Sequence, residues 1–160
     1  MLDPEEASSP SCMRGASRQT RSIPSCSGIF LASDMHCNVS SVRNSHAHWD
    51  HCRPIRDVFP NAIALFGPGT KESCSPGHMA NPDIQWDGRF FDPERATERW
   101  DELHGPWVPF GPFERALDYF GDGSFWIMQA PGHMAGNLCA AARLQSGEWV
   151  LLGSDCCHSR

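Results

Sequence analysis

Between Ser45 and His51 the chain reads Ser45-His46-Ala47-His48-Trp49-Asp50-His51, four ligand-type side chains in six positions. No other feature constrains the fold as much, because imidazoles and a carboxylate packed this densely need a backbone that can aim them at shared points. Along an extended segment side chains alternate, so His46 and His48 point to the same side. Asp50 and His51 follow where the pattern predicts a turn into a short helix, with Asp50 near its N-cap, Pro54 in the first turn, and Ile55, Val58 and Phe59 facing inward. Imidazole nitrogen and carboxylate oxygen suit zinc, which binds them at about 2.0–2.2 Å and takes four ligands. One stretch can therefore serve two neighbouring ions. Isolated histidines are read differently: His36, His78, His104 and His158 are expected to be surface or loop residues. A zinc finger built on Cys37 and Cys52 is excluded by the absence of close cysteine pairs.

The flanking pattern says where this cluster sits. Val39 and Val42 mark a short strand leading into it, and Ile63-Ala64-Leu65-Phe66 reads as a buried strand stopped by Gly67-Pro68-Gly69. Residues 70–110 are a mixed, aromatic-rich excursion over an apolar cleft, with a helix expected around Pro93–Leu103. Ala116–Phe120 and Phe125–Gln129 flank the tight-turn sequence Gly121-Asp122-Gly123-Ser124 and predict a hairpin. Apolar runs follow at Leu138–Leu144 and Trp149–Gly153, separated by a turn at Gln145–Glu148. The segment Pro-Gly-His-Met-Ala occurs twice, at 76–80 and 131–135. Only the second copy follows a strand, so His133 is a ligand candidate and His78 a loop residue that touches substrate at most. Asp155, just past the last strand, is the other candidate, because strand exits are where scaffolds carry polar site residues.

Composition limits the partners. The 160 residues suffice for one domain with a real core, and 13 Pro with 14 Gly indicate short elements and many loops. A net charge of −6 with scattered arginines argues against nucleic acid. Eight cysteines without a C-x-x-C pair read as free thiols in a reducing compartment. The start, MLDPEEASSP, is not a signal peptide, and no run approaches the roughly 20 apolar residues of a membrane span, so a cytoplasmic address is expected. Residues 1–38 read as an irregular tail and 39–160 as the folded part. Trp49, Trp86, Trp107 and Trp126 are candidates for an apolar pocket or for core.

Taken together, Asn44–His51, Gly67-Pro68-Gly69, Leu117–Phe125, Ala130-Pro131-Gly132-His133 and Gly153-Ser154-Asp155 resemble the metallo-β-lactamase superfamily, and within it the lactonase-like hydrolases common in fungi. The resemblance implies an α/β (α+β) fold, the αββα sandwich, here present only in part, with a binuclear zinc site at the sheet edges. Carried over by position, it implies that His46, His48 and His133 hold a first zinc, that Asp50 and His51 hold a second, and that Asp155 bridges them. It also implies a bridging water, acidified by zinc, as nucleophile on a lactone, lactam, ester or thioester carbonyl, with Asp50 as the catalytic residue that orients it.

The chain departs from the family pattern in places. Nothing in residues 1–38 resembles the family's upstream strand region, the second site lacks its last histidine, and Arg43 and Asn44 stand where apolar residues usually lead into the motif. The expectation is therefore a shortened hydrolase for a small-molecule substrate, with a first metal bound more tightly than the second and with unpaired strand edges. The alternative is a non-catalytic, metal-binding or interaction remnant. A nuclease is disfavoured by the charge, and a glyoxalase-like thioesterase by the lack of room for its helical extension. The sequence leaves the oligomeric state open.

Overall fold

The computed structural model describes residues 29–33 and 39–156; for 29–33 it describes the backbone. Among the described residues nine short strands form two sheets. The first has the order β1 (Ile29–Ser33), β2 (Val39–Asn44), β3 (Ile63–Phe66), β4 (Trp100–Glu102). In it β1 runs antiparallel to β2, while β2, β3 and β4 are parallel. The second is an antiparallel meander of β5 (Val108–Phe110), β6 (Phe113–Asp118), β7 (Phe125–Gln129), β8 (Leu138–Arg143) and β9 (Trp149–Leu152).

Parallel strands need long crossovers, and the one from β3 to β4 carries both helices, α1 (Thr70–Cys74) and α2 (Gly88–Phe91). Both helices pack on the outer face of that sheet, where Val42, Ala64 and Phe66 meet Cys74, Phe90 and Phe91 in one buried cluster. Phe66 packs edge-on against Phe90, Phe91 and Trp100, a geometry that aromatic quadrupoles favour. A second cluster joins Leu65 of β3 to Ile127 of β7, Leu138 of β8 and Leu117 of β6, so the two sheets share a core. Arg43 crosses that space. Its guanidinium lies 4.1 Å from the Tyr119 ring centroid and donates to the Tyr119 hydroxyl and, at 2.8 Å, to Ser41 Oγ. The polar residue that stood out before the metal motif is thus a buried cation held by an aromatic face and two hydroxyls, with its Nε left without a hydrogen-bond partner.

The outer face of the second sheet carries Ala116, Met128, Cys139 and Ala141 with Phe110 and Trp126, the last two stacked at 4.3 Å. On the edge of that sheet, Trp149, Val150, Leu151 and Leu152 are all exposed, and β9 has no further partner strand among the described residues.

Several elements differ from the sequence reading. Ile29–Ser33 is a strand within the segment read as an irregular tail, and its only sequence signal is the run Ile29-Phe30-Leu31-Ala32. The helix expected around Pro93–Leu103 is a turn followed by β4. Trp100-Asp101-Glu102 has no period of its own and becomes a strand by backbone pairing with β3, flanked by Ala64 N–H to Arg99 O at 2.9 Å and Leu103 N–H to Phe66 O at 2.7 Å. After the metal motif there are tight turns rather than a helix; Ile55 is buried but Val58 is exposed. Among the described residues no helix is long and apolar enough to cross a membrane.

Candidate metal centre

The end of β2 delivers the motif. Asn44, Ser45 and His46 are fully buried, and Leu138 N–H donates to Ser45 O at 2.7 Å, tying the motif to β8 of the opposite sheet. The chain then turns, with His51 and Cys52 N–H both donating to His48 O at 3.0 and 2.9 Å. That turn brings His51 back beside His46, with ring centroids 4.1 Å apart. The loop after β7 supplies His133, and a 3-10 turn after β9, Ser154–Cys156, supplies Asp155. Ser154 adopts φ 51°, a left-handed conformation uncommon outside glycine that is held here at the site.

Two donor groups result. His46, His48, His133 and Asp155 form one, and Asp50, His51 and Asp155 form the other; within each, the ligand atoms lie no more than 4.8 Å apart. In the first, His48 Nδ1 and His133 Nε2 are 2.9 Å apart, and Asp155 Oδ2 is 3.7 Å from His46 Nε2 and 3.6 Å from His133 Nε2. Bonds of about 2.0–2.1 Å in a tetrahedron put neighbouring ligand atoms about 3.3 Å apart, so these separations bracket what such an ion needs. In the second, His51 Nε2 is 3.2 Å from Asp155 Oδ1 and 3.4 Å from Asp50 Oδ2. The two oxygens of Asp155 thus face different groups.

The electrostatics favour lone pairs over protons. Burial, followed by the neighbouring His51 and His48 rings, pushes the His46 pKa down to about 4 despite the pull of Asp155. Burial and then His133 lower that of His48. The buried Nε2 of His46 has no hydrogen-bond partner, and it belongs to a group of four donors that could hold a metal ion. The opposite nitrogens rest on hydroxyls: Ser45 Oγ lies 3.2 Å from His46 Nδ1 and 3.1 Å from His51 Nδ1, and Ser154 Oγ is 3.3 Å from His46 Nδ1. Such partners fix ring orientation in metal sites. The donor set fits a divalent metal ion bound by nitrogen and oxygen.

No protein-family model matches the chain. Individual relatives do. It is 36% identical over 135 residues to a metallo-hydrolase of Annulohypoxylon moriforme, a match covering 82% of this chain and 34% of that protein. It is 32% identical over 134 residues to a gamma-lactamase of Fusarium pseudograminearum, covering 76% and 29%, and 30% identical over 123 residues to an N-acyl homoserine lactonase of Rhizobium johnstonii, covering 76% and 42%. The chain belongs to the metallo-β-lactamase superfamily. It resembles the lactonase-like members of that superfamily, and it spans about a third of the length of these curated relatives.

Within this superfamily member the six residues singled out from sequence, His46, His48, Asp50, His51, His133 and Asp155, all fall in the two donor groups, whereas His78 and His104 fall in neither. What sequence reasoning missed is the support. Asn137, almost fully buried, donates from Nδ2 to Ala130 O at 2.8 Å and to Cys156 Sγ at 3.4 Å, and its Oδ1 accepts from Ser154 Oγ at 3.2 Å. One side chain therefore holds the loop carrying His133 and the turn carrying Asp155. Its only sequence signal was a polar residue directly before the apolar run of β8. Of the four tryptophans singled out, Trp107 and Trp126 are half-buried and pack against core clusters, Trp86 stacks on His48 at 5.3 Å, and Trp49 is exposed beside Asp50.

Proposed function

We propose that this chain is the metal-holding part of a zinc-dependent hydrolase for a small molecule with a lactam, lactone or related ester bond, built on part of an αββα sandwich. The observation that carries this reading is the shared Asp155, with one oxygen toward His46 and His133 and the other toward His51. The relatives named gamma-lactamase and N-acyl homoserine lactonase supply the bond classes. His46, His48 and His133 would hold one zinc, Asp50 and His51 a second, with Asp155 between them. Bound zinc supplies Lewis-acid polarisation of a carbonyl and acidifies water at neutral pH. The protein's part is to present neutral imidazoles, to keep the His46 side of the site dry, and to place Asp50. Its carboxylate is 77% exposed and 3.4 Å from His51, where it can accept and pass on a proton at the solvent edge.

A second reading, metal binding without turnover, is favoured by one observation: among the described residues the second group has three donors, one of them the exposed Asp50. Hydrolysis of a γ-lactam, a homoserine lactone and a thioester in zinc buffer, beside His48→Ala, separates the two. A rate above that variant supports the hydrolase. Equal rates on all three, with zinc still bound by the unmutated chain, support the second reading.

A further inference from the structure

The two Pro-Gly-His-Met-Ala copies are used in different ways, and the first is not idle. His46 and His51 each have a serine hydroxyl behind the ring, but the side chain of His48 makes its one hydrogen bond among the described residues to His133, inside the site. What lies against His48 instead is Trp86, stacked at 5.3 Å with the planes 23° apart.

Trp86 is held by the first copy. His78 N–H donates to Trp86 O at 2.8 Å, and Gly88 N–H donates to His78 Nδ1 at 2.9 Å, so His78 grips the backbone at the tryptophan and again two residues later. Gly77 N–H reaches Phe91 O at 3.1 Å, and a Cβ on Gly77 would lie 2.5 Å from Gly88 Cα. A Cβ on Gly88 would lie 2.5 Å from Met79 Cγ. Trp49, the neighbour of His48, donates to Gln85 O and packs its ring 5.3 Å from that of His78. The glycine, the histidine and the methionine of the first copy each act on the strip 85–91. The corresponding Gly132 of the second copy meets nothing within 4 Å, and its histidine goes to the metal group instead.

We propose that residues 76–80 form a latch whose function is to set Trp86 against His48, making Trp86 and His78 positioning residues for the metal centre. A ring stacked at this separation limits how far the imidazole plane can swing, and it is in that plane that His48 Nδ1 lies 2.9 Å from His133 Nε2. The inference rests on the proposal that His48 is a metal ligand.

The test measures zinc affinity by competition with a chromophoric chelator, and the visible spectrum of the cobalt(II) form, for the full chain and for Trp86→Ala, Trp86→Leu, Trp86→Phe, His78→Ala and His46→Ala. Urea midpoints of the metal-free chains report the fold separately. Trp86→Ala and Trp86→Leu are expected to weaken zinc by about tenfold and to shift the cobalt spectrum, with Trp86→Phe close to the unmutated chain. His78→Ala is expected to change the same spectrum in the same direction. The Leu and Phe pair decides the matter if the alanine variant does not fold, because both fill the space and only one has a ring face. Unchanged zinc affinity and cobalt spectrum in Trp86→Leu, while His46→Ala loses the metal, would overturn the latch and leave the metal centre standing. Equal zinc binding by the unmutated chain and His46→Ala would overturn both.

Discussion

Asn137→Ala removes one side chain that ties two ligand-bearing loops together, and its cost can be worked from the contacts. The two oxygen-partnered bonds, at 2.8 Å to Ala130 O and 3.2 Å from Ser154 Oγ, are part-buried and count about 1 kcal/mol each, with more from leaving the Ala130 carbonyl without its side-chain partner. The contact to Cys156 Sγ adds little. A loss of about 2–3 kcal/mol is a large share of the roughly 5–15 kcal/mol that holds a domain together. With a urea slope of about 1–3 kcal/mol/M for a chain of this size, the midpoint of the metal-free protein should fall by about 1–2 M. Zinc affinity should fall as well, by about 10–100-fold, because His133 and Asp155 lose their common anchor. Ser146→Ala removes a hydroxyl that bonds Glu148 on an exposed turn, and it should change neither quantity. A midpoint shift below about 0.5 M together with unchanged zinc affinity would refute the anchoring role of Asn137.

Metal counting tests the inequality of the two groups. After a chelator challenge and gel filtration, elemental analysis should find one zinc retained per chain, since one group has four donors including the buried His46 and the other has three including the exposed Asp50; two equally resistant ions would contradict this. Asp155→Asn, which weakens the one side chain that both groups share, should lower the retained metal below that of Asp50→Asn in the same assay. Burial pushes the thiols of Cys74 and Cys139 up to about 12 and raises that of Cys52 as well, while Cys156 is exposed. Iodoacetamide at pH 8 followed by peptide mapping should therefore modify Cys156 and spare the other three until urea is added, and labelling of Cys74 as fast as Cys156 would count against the core described. Gly136→Ala should cost about 3 kcal/mol or more, because φ is +78° and the added Cβ would lie 2.0 Å from Thr70 Oγ1. Gly132→Ala, with open space around it, should cost less than about 1 kcal/mol in the same urea titration.

The parts of the fold legible in the sequence were those with a local signal. β3 matches the run Ile63–Phe66, and the β6–β7 hairpin forms around Gly121 and Gly123, both at positive φ as the tight turn requires. β8 and β9 fall within a residue of the apolar runs that predicted them. Elements whose stability comes from elsewhere were misread. β4 is three residues made into a strand by its neighbour, and the four- and five-residue helices are too short to show a period.

The amino-acid sequence by itself determined which atoms could bind a metal, because a density of imidazole and carboxylate is a chemical property of the chain and survives without coordinates. Tertiary structure alone decided how those atoms share their work. Asp155 is 104 positions from His51 and 22 from His133 in the chain, yet its two oxygens stand within 3.6 Å of both, because β7, β8 and β9 return to the end of β2. The same applies to the hydroxyls behind His46 and His51, to Asn137, and to the contrast between the two Pro-Gly-His-Met-Ala copies. Identical side chains differ only in what the surrounding backbone brings within reach, and that reach is set by strand pairing over long sequence separations.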